Sequence, residues 1–101
     1  MELDQQDIST TLNIINKDFG LENSDHEILS KEALLKWLTQ VINYLLEKNF
    51  EKLLQAMYRI DISEEKFKSI FSKEGNIAEE LAQLVLDREL QKVYFRKRYN
   101  S

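Results

Sequence analysis

A chain of 101 residues with 14 basic and 18 acidic side chains carries a net charge of −4, and it contains no cysteine, no proline, two glycines and one histidine. About 100 residues suffice for one domain with a core of its own, so 1–101 is read as a single helical domain. The composition excludes disulfides, thiolate metal sites and cysteine nucleophiles, and no segment approaches the roughly 20 apolar residues of a membrane span.

The first element is predicted from Ile8, Leu12, Ile15 and Phe19, which fall at i, i+4, i+7 and i+11 and so share one helical face. Asp4 or Asp7 can cap its start, and Gly20 can close it in a left-handed conformation. Leu21 to Leu29 is polar and reads as a connection. Ser24-Asp25-His26-Glu27 matches a capping box, but Ser30 is the preferred cap because the strong period begins just after it. The second helix runs from about Lys31 to Lys48. Leu34, Leu38, Val41 and Leu45 mark its centre line, Leu35, Ile42 and Leu46 widen one side, and Trp37 and Tyr44 widen the other. So broad an apolar arc needs more than one neighbour to cover it.

Asn49 can cap a third helix carrying Phe50, Leu53, Leu54, Met57, Tyr58 and Ile60, with a break at Asp61-Ile62-Ser63. Ser63 then caps a short fourth helix with Glu64 and Glu65 in its first turn, where carboxylates suit the helix dipole. Phe67, Ile70 and Phe71 are expected to be its buried face and Gly75 its end. Asn76 caps the fifth helix, with Glu79 as capping-box partner. That helix could run to Tyr99, about 35 Å at 1.5 Å per residue. The expected architecture is all-α: a compact bundle of about five helices with a long central second helix and a long C-terminal helix. There is no internal repeat and no linker long enough to divide the chain.

The chemical inventory is thin. His26 beside Asp25 and Glu27 could serve as a general base or metal ligand, but a lone imidazole in a polar stretch reads more simply as a solvated residue. The pairs Glu64/Glu65 and Glu79/Glu80 could hold a divalent cation, yet both sit where the helix dipole alone favours acids. No catalytic residue, metal site or cofactor is expected, and the protein is read as no enzyme. Arg88 stands out. At 100° per residue it falls on the face of Leu81, Leu84, Phe95 and Tyr99, so Arg88 is expected to be at least partly buried in an internal ion pair, with Asp61 as its partner and a loss of a few kcal/mol on truncation. A ligand-anion or partner contact is the other reading of Arg88.

Charge is uneven. Residues 1–50 carry −5 and residues 51–101 carry +1, and from Arg88 onward Arg88, Lys92, Arg96, Lys97 and Arg98 face Glu89 alone. Lys92, Arg96, Lys97 and Arg98, interleaved with Tyr94, Phe95 and Tyr99, form a candidate basic patch that suits phosphate contact with base stacking. They equally suit a solvated helix end, where cations complement the dipole.

The stretch Leu53 to Lys66, with its Tyr58-Arg59-Ile60-Asp61 turn followed by Ser63, Glu64 and Lys66, and the later Leu81 to Lys92, ending Arg88-Glu89-Leu90-Gln91-Lys92, together resemble a group of small bacterial proteins of uncharacterised function with a "YRID-S-E-K … R-LQK" pattern. The resemblance covers the C-terminal half from Asn49 onward, and the second helix less distinctly. It implies an all-helical bacterial cytosolic protein in which the Tyr58–Asp61 turn meets the Arg88–Lys92 stretch. It implies no activity.

Two uses of the scaffold remain. The leading expectation is a non-enzymatic protein–protein interaction or regulatory module, binding an unknown protein partner or forming a homodimer through Trp37 and Tyr44 on the flank of the second helix, with cover of that flank by the first or fifth helix of the same chain as the plainer reading of those two rings. The alternative is a nucleic-acid-associated protein using the basic aromatic C-terminus. The acidic whole argues against broad nucleic-acid coating. No charged start precedes an apolar run, so no signal peptide is expected and cytoplasmic location is the default.

Overall fold

The cap residues set where each helix begins. In a computed structural model, which describes residues 4–21 and 30–100 with side chains as far as Arg98, five helices follow one another: α1 (Gln5–Asp18), α2 (Lys31–Lys48), α3 (Phe50–Ile60), α4 (Glu64–Phe71) and α5 (Ile77–Asn100). His26 and the rest of Ser24 to Glu27 lie outside the described residues, as does the Tyr99 side chain. The described part is 84% helical and has no strand.

Asp4 caps α1. Its carboxylate accepts from Asp7 N–H at 2.8 Å, while Asp7 Oδ2 accepts from Asp4 N–H at 3.4 Å, so two of the orphan donors at the helix start are satisfied reciprocally. Ser30, Asn49 and Ser63 cap α2, α3 and α4 by a single bond each, their side-chain oxygen accepting from the N–H three residues on. At the other end, α1 closes with Gly20 at φ 64°, the N–H of Leu21 reaching Asn16 O and that of Gly20 reaching Lys17 O. This is the Schellman pattern. The chain repeats it after α3 with Asp61 at φ 67°: Ile62 N–H bonds Met57 O and Asp61 N–H bonds Tyr58 O. Aspartate tolerates this region better than most side chains.

The cap of α1 is the first test. Asp4→Ala should lower the denaturant midpoint by the equivalent of about 1 kcal/mol, as loss of an N-cap oxygen does. An unchanged midpoint would mean that Asp7 alone holds the helix start.

α4 ends earlier than its sequence indicates. Gly75 was the expected terminator, but the last helical residue is Phe71, and Ser72 caps it. The Ser72 hydroxyl turns back onto Ser69 O at 2.8 Å. Such local bonds offer the backbone an alternative to helix, and Gly75, at φ 152°, belongs to the turn beyond.

α2 and α5 form the central pair. α1 lies on α5 and touches α2 and α3, α3 packs on α2 and α5, and α4 lies along α5 while its phenylalanine rings reach Phe50 of α3. The core gathers Ile15 and Phe19 from α1 and its cap, Leu34, Leu38, Ile42 and Leu45 from α2, Leu53, Ala56 and Ile60 from α3, and Leu81, Val85 and Leu86 from α5. Each of these is removed from water, worth roughly 1.5–3 kcal/mol for a Leu- or Phe-sized side chain. The bundle measures 40 × 29 × 22 Å, with a radius of gyration of 13.4 Å. Among the described residues no helix is long and apolar enough to cross a membrane.

α1 runs antiparallel to α5. Near its start, Asp7 receives Lys97 Nζ at 2.9 Å; near its end, Asp18 stands beside Glu89 and Lys92. This pairing brings the chain's acidic beginning onto its basic end.

Candidate functional site

Three phenylalanines meet at the junction of α3 and α4. Phe50 opens α3, and Phe67 and Phe71, four apart, share one face of α4. Ring centroids lie 6.5 Å apart for Phe50–Phe67, 6.0 Å for Phe50–Phe71 with the planes at 85°, and 4.9 Å for Phe67–Phe71. These are tilted and edge-to-face contacts of the kind aromatic quadrupoles favour. The rings are nonetheless open to solvent: Phe50 is 42% exposed and Phe71 37%. The sequence placed Phe67, Ile70 and Phe71 together on a buried face. Only Ile70 is buried, and Phe67 is half-buried. α5 covers the Ile70 side of this two-turn helix, and a single ring from α3 meets its second apolar side, which therefore stays partly at the surface.

Trp37 and Tyr44, the flank expected to need cover, have different fates. Trp37 is half-buried and packs on the core, whereas Tyr44 is 63% exposed.

Arg88 Nη2 lies 3.4 Å from Asp61 Oδ2, and Arg88 Nη1 donates to Gln91 Oε1 at 3.1 Å. The turn after α3 therefore meets α5. Arg88 is partly buried and pairs with Asp61, as the sequence led one to expect, but the Asp61 side chain is 85% exposed, so the pair lies at the surface and the large loss expected on truncation is what the structure corrects. Exposed pairs contribute little because water screens them and ordering two side chains costs entropy. Arg88→Ala should accordingly change stability by less than about 1 kcal/mol. A loss of several kcal/mol in urea unfolding would restore the buried-pair reading.

The charge that α5 does bury is one residue further on. Ala78, Leu81, Ala82, Val85, Leu86, Glu89, Leu90 and Val93 are all buried, at i, i+3, i+4, i+7, i+8, i+11, i+12 and i+15. Glu89 thus sits within the apolar stripe and is fully enclosed. Its Oε1 accepts from Lys92 Nζ at 3.2 Å, and its Oε2 has no hydrogen-bond partner. Burial pushes the Glu89 carboxyl up to about 7; Lys92 pulls against this and the nearby Asp18 carboxylate adds to it. The spacing itself carries this signal, but the neighbouring Leu81–Leu84–Arg88 line offers a second apparent stripe on the same helix.

The expected basic patch divides in the fold. Lys97 turns to the start of α1, 2.9 Å from Asp7 Oδ1 and 3.9 Å from Asp4 Oδ2. The Lys97 ammonium holds the Asp7 carboxyl below the usual carboxylate range, and Asp7 raises Lys97 in turn. Lys92 and Arg96, four apart, face a different way. They line a groove of about 480 Å³ with Asn13, Lys17 and Asp18 from α1 and Arg59 from the end of α3. Arg98 ends the described side chains. Tyr94 and Phe95 are exposed and meet edge to face at 6.2 Å.

One member of each carboxylate pair is otherwise engaged. Glu64 takes Lys68 at 3.1 Å, and Glu79 takes the Asn76 amide at 3.3 Å. Among the described residues no group of His, Cys, Asp or Glu is arranged to hold a metal ion.

No known family model, curated protein or solved structure matches the chain.

Proposed function

We propose that this chain is a non-enzymatic protein–protein interaction module of a bacterial cytoplasm, and that the Phe50–Phe67–Phe71 surface is its contact, filled by a second copy of the chain. The observation that carries the reading is three mutually packed aromatic rings, one half-buried and two more than a third exposed. Aromatic side chains are enriched at the centre of interfaces, and contiguous exposed apolar patches mark contact sites more often than isolated apolar residues do. The rim favours self-pairing. From Glu64 to Glu74 the acids Glu64, Glu65 and Glu74 balance Lys66, Lys68 and Lys73, so two copies related by a two-fold axis meet without net like-charge repulsion. The location rests on the sequence resemblance alone.

Sedimentation equilibrium tests this. The wild type should associate to a dimer as concentration rises through the micromolar range, and Phe71→Lys should remain monomeric with a melting temperature close to that of the wild type. A wild type monomeric at every concentration up to the millimolar range, or a variant that dimerises equally well, would overturn the proposal. The nucleic-acid alternative is weakened by Lys97, which is engaged by Asp7.

A further inference from the structure

The cationic groove along α1 and α5 lies outside the aromatic surface and has no role in the proposed dimer. Two helical spacings build it. Asn13 and Lys17, four apart, come from one face of α1; Lys92 and Arg96, four apart, come from one face of α5. Arg59 reaches in from the end of α3 and donates to Asp18 O at 3.2 Å. Four cations from three helices thus converge on about 480 Å³, in a protein whose net charge is −4. That volume is within the range of small-molecule sites, roughly 300–1,000 Å³. Bringing like charges together costs free energy unless something answers them. Asp18 at the edge and Glu89 beneath Lys92 answer part of the charge, and the groove still carries a surplus of two.

We propose that this groove binds the phosphate group of a small anionic ligand, held by Lys17, Arg59, Lys92 and Arg96. Arginine forks and lysine ammonium groups are the donors that match phosphate oxygens, and Asn13 adds an amide. The size of the groove and the acidity of the whole protein favour a single phosphate or pyrophosphate group over a long polyanion, which would lie against a net-negative body.

Glu89 gives the site a proton coupling. Lys92 is shared: its ammonium serves the buried Glu89 carboxylate until a ligand competes for it. When Lys92 turns to the ligand, Glu89 is left enclosed among apolar side chains, and protonation becomes its least costly state. The groups facing Glu89 are Lys92 on its own helix and Asp18 on α1, with Arg59 of α3 bound to the Asp18 carbonyl. α2 turns Leu34, Leu38, Ile42 and Leu45 to the core. Asp18 opposes the Glu89 charge, so it reinforces proton uptake. Ligand binding should therefore be tighter at pH 6 than at pH 8.

The experiment is a nuclear magnetic resonance titration of the full chain at low ionic strength. Inorganic pyrophosphate should give saturable one-site shifts centred on Asn13, Lys17, Arg59, Lys92 and Arg96. The double variant Lys17→Gln/Arg96→Gln, which removes two exposed cations for which no carboxylate partner is seen among the described residues, should bind roughly a hundredfold more weakly, about tenfold for each charge-assisted hydrogen bond lost. Sulfate, which keeps its charge across the range, is the probe for pH: its affinity should rise from pH 8 to pH 6 in the wild type and stay flat in Glu89→Gln. Unsaturable shifts spread over the surface, or equal affinity in the double variant, would overturn the site. A flat sulfate profile in the wild type would overturn the coupling. A single-stranded ten-nucleotide RNA that binds through the same four residues more tightly than pyrophosphate, with a steep salt dependence, would overturn the small-ligand assignment in favour of nucleic acid.

Discussion

Glu89→Gln is expected to remove most of the fall in stability that the wild type shows between mildly acidic and mildly alkaline pH. In the unfolded chain the Glu89 carboxyl loses its proton near the ordinary value of 4.5, and in the folded chain near 7. Between those values the folded state holds more protons than the unfolded one. Raising the pH there favours unfolding. The penalty is absent below about pH 4.5, grows through the window and is complete above pH 7. At about 1.4 kcal/mol per pH unit, the gap amounts to about 3 kcal/mol. Glutamine keeps the shape and removes the titration, though its buried amide loses some stability at every pH. The informative quantity is therefore the difference between the two proteins, which should shift by about 3 kcal/mol in favour of the variant from pH 4.5 to pH 8. Taking this difference also cancels Asp7, whose lowered carboxyl contributes stability above its ordinary value and loses it only as the solution becomes more acidic. Urea unfolding at four pH values checks the prediction. Parallel stability curves would mean that Glu89 reaches water in solution.

Phe19→Ala should be the most damaging single truncation of the α1 region. The ring is 1% exposed and is the largest of the fully buried side chains. It stands at the C-cap of α1, where the backbone leaves the helix and Gly20 turns the chain. One ring thus both fills the core and pins the end of α1 against its neighbours. Phe→Ala in a core costs roughly 3–5 kcal/mol through lost transfer free energy and the cavity left behind. That is a large share of the 5–15 kcal/mol that typically separates folded from unfolded domains. Thermal unfolding should fall by well over 10 °C at the roughly 4–8 °C per kcal/mol typical of a domain this size. A melting temperature within a few degrees of the wild type would show that α1 contributes little to the folded core.

Helix starts were legible because their signals are local. Asp4, Ser30, Asn49 and Ser63 each hold a backbone N–H three residues on, and an oxygen-bearing side chain before a periodic run is visible in any sequence. Faces were less legible. The stripe of α5 was read through Leu84 and Arg88, and the buried line runs one residue over through Val85 and Glu89. A helix this long with apolar and charged residues on several sides offers more than one apparent stripe, and the neighbours decide which is covered. Burial on α4 was misjudged for a related reason: periodicity shows that Phe67 and Phe71 share a side, but it does not show that α5 covers only the side of Ile70. The groove was the least legible feature. Lys17, Arg59, Lys92 and Arg96 are far apart in sequence and meet only because α1 packs antiparallel to α5. The same packing removes Lys97 from the expected patch by giving it Asp7.

The most direct test of the proposed dimer uses the absence of cysteine. With no native thiol in the chain, Ser72→Cys places one nitroxide spin label beside Phe71 on the exposed end of α4, and pulsed electron–electron dipolar spectroscopy reads the distance between labels on different copies. A two-fold contact through Phe50, Phe67 and Phe71 predicts a short, narrow inter-label distance that grows in amplitude with protein concentration and disappears when Phe71→Lys is added. No dipolar coupling between copies at concentrations where the wild type sediments as a dimer, or an unchanged distance in the presence of Phe71→Lys, would place the contact elsewhere and contradict the proposal.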